Sequence, residues 1–133
     1  MKDPVTLLDR AKADLFNVNL ILKEAVDDVV LDIAAYHCSQ CIEKVVKYYM
    51  TALGIHWPKE HWFRKLIPLL PETDMVRVSV EPISDLLDEW TDKTRYHSSI
   101  LSSKKKIEEI AYICIELISC VESRLSKEPI NNE

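Results

Sequence analysis

The chain has 133 residues and a formal net charge of −5 at pH 7. This length is enough for one domain with a single hydrophobic core, and 47% apolar with 29% charged residues is typical of a globular protein. The acidic balance excludes a protein that coats nucleic acid through a broad basic surface. One glycine, Gly54, in the whole chain disfavours Gly-rich phosphate loops and tight hairpins.

No stretch approaches the roughly 18 uninterrupted apolar residues of a membrane span. The N-terminal residues have no apolar segment of the kind that a secretory signal needs. We therefore expect a cytoplasmic protein with no membrane partner.

Two long amphipathic helices are predicted in the first half of the chain. Asp3 can cap a first helix that begins at Pro4 and ends near Val26. Asp27 and Asp28 can cap a second helix, which runs to Leu53 and ends where Gly54 supplies a left-handed residue. The short link between them makes the two helices antiparallel neighbours. The apolar stripe of the first helix comprises Leu8, Ala11, Leu15, Val18, Leu22 and Ala25.

The middle of the chain is broken by prolines, so we predict only a short helix around His61 to Leu70. Residues 76 to 80 alternate valine with polar residues in the period of a strand, but no second alternating segment exists to pair with them. This segment is predicted to be extended or irregular. Pro82 can open a further helix, and Ser102 or Ser103 can cap the last long one.

These elements predict an all-α protein: an up-and-down four-helix bundle with a broken, short-helix crossover between the second and last long helices. The bundle is expected to span residues 1–126, and residues 127–133 to form a frayed tail. Phe16 and Leu20 lie opposite the apolar stripe of the first helix. They predict either a dimer contact or a dock for the crossover segment.

The second helix separates two kinds of side chain on two faces. Its packing face carries Ala34, Cys38, Cys41, Val45, Tyr48 and Ala52, and its outward face carries Tyr36, Gln40, Glu43, Lys44 and Lys47. On the outward face the two lysines can bind phosphate, while the amide reads a base edge and the tyrosine stacks on it. The alternative is a solvated face, stabilised by a Glu43–Lys47 ion pair at i,i+4.

The four cysteines do not predict a metal site. Cys38 and Cys41 share a helix face, but Cys114 and Cys120 are six residues apart and point in different directions, so four sulfurs do not readily converge. We interpret all four as small core residues. His61 is likewise interpreted as structural, as a cap or a buried hydrogen-bond donor.

The order of several landmarks resembles the HEPN family, the nucleotide-binding domains of higher eukaryotes and prokaryotes. Gln40, Glu43, Lys44 and Lys47 have the spacing of its second-helix signature. His61 is similar to the histidine ahead of its short third helix, and Arg95-Tyr96 resembles the Arg-Tyr ahead of its final long helix. The similarity covers about residues 4 to 126.

The resemblance implies a small helical bundle that is commonly a homodimer and is often encoded beside a minimal nucleotidyltransferase partner. Some members are metal-independent, toxin-like ribonucleases, which carry an Arg followed four to six positions later by His. The positions four to seven after Arg95 hold Ser99, Ile100, Leu101 and Ser102, so the motif is not met. His97 is the nearest imidazole, but i,i+2 neighbours on a helix point apart.

We therefore predict a non-catalytic module, without a cofactor or metal, that binds a nucleotide, RNA or a partner nucleotidyltransferase. The two alternatives are an atypical ribonuclease that uses Arg95 and His97, and a purely structural homodimeric adaptor. The predicted ligand-binding residues are Tyr36, Gln40, Glu43, Lys44, Lys47, Arg95, Tyr96 and His97.

Overall fold

A computed structural model describes residues 5–24, 27–92 and 103–127 of the chain. Within these ranges the backbone is helical and contains no strand, which confirms the all-α prediction. The α-helices are α1 (Leu7–Glu24), α2 (Asp28–Ala52), α3 (Phe63–Leu66), α4 (Met75–Val80), α5 (Ser84–Thr91) and α6 (Lys104–Lys127), and 3-10 turns follow α3 at Ile67–Leu69 and α4 at Glu81–Ile83.

Helix α1 begins later than the sequence predicted, because Thr6 caps it. The Thr6 N–H donates to Asp9 Oδ2 and the Asp9 N–H donates to Thr6 Oγ1, both at 3.0 Å, in a reciprocal capping box. The expected start at Pro4 is therefore wrong, since the chain is not yet helical at Thr6. Asp3, the expected cap, lies outside the described residues.

The predicted ends of α2 are confirmed. Asp27 Oδ1 accepts a hydrogen bond of 3.0 Å from the Val30 N–H at the start of the helix. After the last turn, Gly54 has a φ of 77°, which an L-residue adopts only with strain. The helix is thus fixed at both ends by residues that the sequence identified.

Helix α2 is the centre of the bundle and packs against α1, α5 and α6. Helix α6 runs parallel to α2, because Cys114 contacts Cys38 while Arg124, further along α6, lies over the ring of Tyr49. Of the predicted packing face, Ala34, Cys38, Cys41 and Val45 are fully buried, Tyr48 is half-buried and Ala52 is exposed. The face therefore follows the prediction until the last turn.

The cysteines are free thiols, and Cys38, Cys41 and Cys114 lie in the core as predicted. Cys120 is half-buried. Hydrogen bonding with Cys38 and then Cys41 raises the pKa of the Cys114 thiol, so it stays protonated and packs as a small apolar group. Among the residues that the structure describes, no group of three or more His, Cys, Asp or Glu side chains is placed to hold a metal ion.

The segment predicted to be extended is a helix. Asp74 caps α4 by accepting the Val76 N–H at Oδ1, 2.8 Å away. Val76 and Val80 are buried, one turn apart, while Val78 is exposed. A spacing of four residues fits both a strand and a helix face, so the valine pattern alone did not separate them. The cap and the packing decided in favour of the helix.

Phe16 and Leu20 are exposed, at 67% and 50% of their surface. The described part of the crossover does not cover them, so a dock for this segment is not confirmed. A dimer contact there stays a prediction.

No described helix combines the length and the apolar composition that crossing a membrane requires. The predicted tail, 127–133, lies outside the described residues except for Lys127, which ends α6.

Asp74 also joins the crossover to two long helices, and its removal provides a test of the fold. Its Oδ2 accepts the Tyr49 hydroxyl at 2.7 Å and Arg124 Nη1 at 3.3 Å. We expect Asp74→Ala to lower the free energy of unfolding by about 2–4 kcal/mol in urea titrations, because buried donors lose their acceptor. The matched variant Asp85→Ala, at an exposed position, should change it by less than about 0.5 kcal/mol. Equal effects of the two substitutions would contradict this account.

Candidate functional site

A cleft of about 310 Å³ opens where α2 passes the start of α3 and the end of α5. Two of the predicted ligand-binding residues, Tyr36 and Gln40, lie there one turn apart on α2. The cleft combines two aromatic rings with an amide, an imidazole, a hydroxyl and a carboxylate. It is lined by Tyr36, Gln40, His61, Trp62, Thr91 and Asp92.

The wall formed by residues 61 and 62 is held in place by a buried carboxylate on α5. Asp88 accepts the N–H of Phe63 at 2.6 Å and that of Arg64 at 3.2 Å, which caps α3 from another helix. Burial raises the pKa of the Asp88 carboxyl, and the two amide hydrogen bonds act in the opposite direction. Because Thr91 follows Asp88 by one helical turn, this cap also fixes the distance across the cleft.

Trp62 is restrained from two further directions. The Glu60 carboxylate accepts the N–H of Trp62 at 3.2 Å and that of His61 at 3.1 Å. The hydrogen bond from the Trp62 N–H lowers the pKa of Glu60, so the carboxylate stays ionised as an acceptor. The Arg64 guanidinium lies 5.1 Å from the centre of the indole ring, in a cation–π contact. The main chain at Trp62 is therefore fixed, and the guanidinium packs on the indole beside the cleft.

Glu43 and Lys47 do not face outward, and this part of the sequence prediction is wrong. Their exposed fractions are 5% and 7%. Lys47 Nζ donates to Glu43 Oε2 at 3.0 Å and lies 4.7 Å from the centre of the Trp57 ring. The reason is that the crossover folds back over this half of α2, where Trp57 Nε1 donates to Thr51 Oγ1 at 3.0 Å. The i,i+4 ion pair forms as predicted, but it is buried.

His61 is not buried, so one of its two predicted structural roles, that of a buried hydrogen-bond donor, is wrong. Its side chain is 73% exposed, and its Nδ1 lies 3.0 Å from Glu43 Oε2. The ring thus has one nitrogen on a buried carboxylate of α2 while its body lines the cleft. His61 is the link between the buried pair and the open site.

Lys44 is paired with an acidic side chain of α1. Its Nζ lies 2.5 Å from Asp14 Oδ2, and His37 Nδ1 lies 2.9 Å from Asp14 Oδ1. Sequence reasoning missed Asp14, which is buried within the apolar stripe between Ala11 and Val18. An acidic residue on the apolar face of a predicted helix could have indicated such a pair, because a carboxylate in the core needs a hydrogen-bond donor.

Four lining residues were not predicted to bind a ligand, and one of them, His61, was expected to be structural. Trp62 is adjacent to His61 in the sequence, and that proximity was its only signal. No signal in the sequence pointed to Thr91 and Asp92. Only the packing of α5 against α2 brings them close to Tyr36 and Gln40. The predicted Arg95, Tyr96 and His97 lie outside the described residues.

A family model of the HEPN domain matches residues 5–124. Among solved structures, the crystal structure of an archaeal HEPN homologue is similar, with a TM-score of 0.68 and 17% identity over 90% of this chain and 94% of that chain. At this identity the likeness shows a shared fold. No protein with a curated description matches the chain significantly.

The burial of the Glu43–Lys47 pair can be tested by removing the cation. Lys47→Met keeps the length of the side chain but leaves the Glu43 carboxylate without its ammonium partner. We expect a loss of about 3–5 kcal/mol in the free energy of unfolding, because the carboxylate stays buried. Lys65→Met, at an exposed lysine, should cost less than about 0.5 kcal/mol. If both variants unfold at the same urea concentration, the pair is not buried in solution.

The cap formed by Asp88 gives a second test. Asparagine at this position presents one acceptor and one donor, so Asp88→Asn leaves one of the two α3 amides without an acceptor. We expect a loss of about 1–3 kcal/mol in unfolding free energy, and faster hydrogen exchange at the Phe63 and Arg64 amides. Asp85→Asn, one helical turn earlier on α5, is the matched control. Unchanged exchange at both amides would show that Asp88 does not cap α3.

Proposed function

This chain belongs to the HEPN domain family, and on that premise we propose that it binds one nucleotide unit, free or at an RNA end, in the cleft between Tyr36 and Trp62. Membership of the family supports a nucleotide-related or ribonuclease-like role in general. The observation that carries the finer proposal is the lining of the cleft, where aromatic rings and hydrogen-bonding side chains meet.

The size of the cleft favours a small ligand. Its volume of about 310 Å³ is at the lower end of ligand pockets, which range over roughly 300–1,000 Å³. Such a space accepts a single nucleoside unit but not a folded RNA element. A longer RNA would therefore bind through one unstacked nucleotide, which is how proteins generally read single-stranded RNA.

The aromatic residues supply the main binding energy in this proposal. Tyr36 and Trp62 are both half-buried, so each presents part of its ring to the cleft. A base that stacks on such rings gains about 1–3 kcal/mol per contact, with little dependence on its identity. The Arg64 guanidinium already packs on the Trp62 ring, so less side-chain freedom is lost on binding.

The polar residues supply orientation. The Gln40 amide both donates and accepts, which matches the mixed donor and acceptor edge of a nucleobase. The Thr91 hydroxyl donates to the Leu87 carbonyl at 2.8 Å, so its oxygen can act towards a ligand only as an acceptor. These neutral groups can select a base edge without a charged contact.

The lysines contribute little to ligand binding in this proposal. Lys44 is paired with Asp14 and Lys47 with Glu43, so the α2 cations that the sequence suggested for phosphate are neutralised by buried carboxylates. The exposed guanidinium of Arg64, over the Trp62 ring, is the cation beside the cleft wall in the described part of the chain. Recognition thus centres on the nucleoside, with the phosphate near solvent.

Binding rather than cleavage is proposed because the ribonuclease motif is not met. The positions four to seven after Arg95 hold Ser99, Ile100, Leu101 and Ser102. Partner nucleotidyltransferase binding stays an additional prediction from the family resemblance, without a described surface that argues for it.

The proposal is tested by titrating the four ribonucleoside monophosphates and a fluorescein-labelled single-stranded RNA of about ten nucleotides, a length within the usual site sizes. We expect Tyr36→Ala and Trp62→Ala each to weaken binding by about 5–100-fold, the equivalent of one lost stacking contact. Tyr112→Ala is the matched control, since this tyrosine is exposed on α6. Binding that neither cleft substitution weakens, or an absence of binding by every probe, would overturn the proposal.

A further inference from the structure

The Glu43 carboxylate is enclosed, and its two oxygens are used unequally. Oε2 lies 3.0 Å from both Lys47 Nζ and His61 Nδ1. Oε1 is buried, and no described residue donates a hydrogen bond to it. A buried carboxylate with one unpartnered oxygen depends on the hydrogen bonds that its other oxygen accepts.

The contact with Glu43 dictates which nitrogen of His61 carries a proton. Because Oε2 already accepts from the Lys47 ammonium, it is the oxygen of an ionised carboxylate and can only accept. His61 Nδ1 must therefore be the donor. In the neutral imidazole this leaves the proton on Nδ1 and a lone pair on Nε2.

Because Nδ1 is held at Glu43, we expect the other ring nitrogen, Nε2, to face the open side of the cleft. Nε2 lies across the imidazole from Nδ1, and the ring lines the cleft with 73% of the side chain exposed. Glu43 thus acts as a positioning residue that never touches the ligand. Through His61 it gives the rim of the cleft a hydrogen-bond acceptor of fixed direction.

We propose that His61 Nε2 accepts a hydrogen bond from a ribose hydroxyl of the bound nucleotide, so that the cleft selects ribonucleotides over deoxyribonucleotides. This inference rests on the proposed function and names the sugar that the same cleft takes. The ribose hydroxyl is the group by which proteins distinguish RNA from DNA at a given position.

The chemistry favours a hydroxyl over a phosphate at this point. A nitrogen lone pair repels phosphate oxygens, which are acceptors, and attracts an O–H donor.

The position of His61 favours the sugar over the base. Tyr36, Gln40 and Trp62 are half-buried, whereas His61 is exposed. The flat, apolar part of the ligand therefore enters between the aromatic residues, and the hydrophilic ribose stays at the rim.

The experiment compares a ribonucleoside monophosphate with its 2′-deoxy and 3′-deoxy forms by calorimetric titration at mildly alkaline pH. We expect the wild-type protein to bind the ribo form about fivefold more tightly than at least one deoxy form, the effect of one hydrogen bond. His61→Ala should lower the ribo affinity to that of this deoxy form and leave the deoxy affinity within about twofold. His56→Ala, at an exposed histidine outside the cleft, should retain the discrimination.

The role of Glu43 is tested by a separate measurement, the tautomer of the His61 ring. A purely structural role of Glu43 would not affect this tautomer. In the ¹⁵N spectrum of the unliganded wild-type protein, the neutral His61 ring should show a protonated Nδ1 and an unprotonated Nε2. Glu43→Gln should produce a mixture of the two tautomers, because an amide both donates and accepts. Since this change also leaves Lys47 without its carboxylate, the double variant E43Q/K47M removes both charges and serves as the second test. A proton on Nε2 in the wild-type protein would overturn the inference without any variant.

The outcomes separate this inference from the proposed function. Equal affinity for the ribo and both deoxy forms, with binding still dependent on Tyr36 and Trp62, overturns the sugar contact and supports the proposed cleft. Binding that depends on neither aromatic residue overturns both.

Discussion

A carboxylate buried on the central helix is the constraint on which the rest of the site depends. Glu43 stands on α2 where a solvated residue was expected, and it is compensated by one cation beneath the crossover and one imidazole at its edge. Burying a charge is costly unless it is paired and hydrogen-bonded. The crossover must therefore keep Trp57 and His61 over this part of α2, and the cleft next to it takes its shape from that requirement.

Buried carboxylates that accept hydrogen bonds also occur at other points of the bundle. Asp14, Asp74 and Asp88 are each buried, and each accepts hydrogen bonds from a residue distant in sequence. Together they attach α1, the crossover and α5 to their neighbours. Because an acceptor in the core has few alternative partners, these carboxylates specify one arrangement of helices that share similar apolar stripes. The short crossover helices thus gain a fixed position that four to eight residues of apolar contact would not give.

Much of the fold was predictable, because it follows from local rules. The cap at Asp27 and the stop at Gly54 depend on residues close in sequence, and each was found where it was expected. The helix at residues 75–80 was not predicted, because the spacing of its valines fits the period of a strand as well as that of a helix. Its cap, Asp74, also accepts hydrogen bonds from Tyr49 and Arg124. These residues are distant in sequence, so no local pattern connects them with Asp74.

The sequence by itself determined that the protein is a helical bundle, that α2 has a polar face, and that Tyr36 and Gln40 lie one turn apart on it. These conclusions need only the helical period. Only the tertiary structure decided which part of that face meets solvent. The crossover covers Glu43 and Lys47, α1 neutralises Lys44, and α5 brings Thr91 and Asp92 to the open remainder. The physical reason is that exposure and pairing are set by what packs against a helix, and a helical period carries no information about its neighbours.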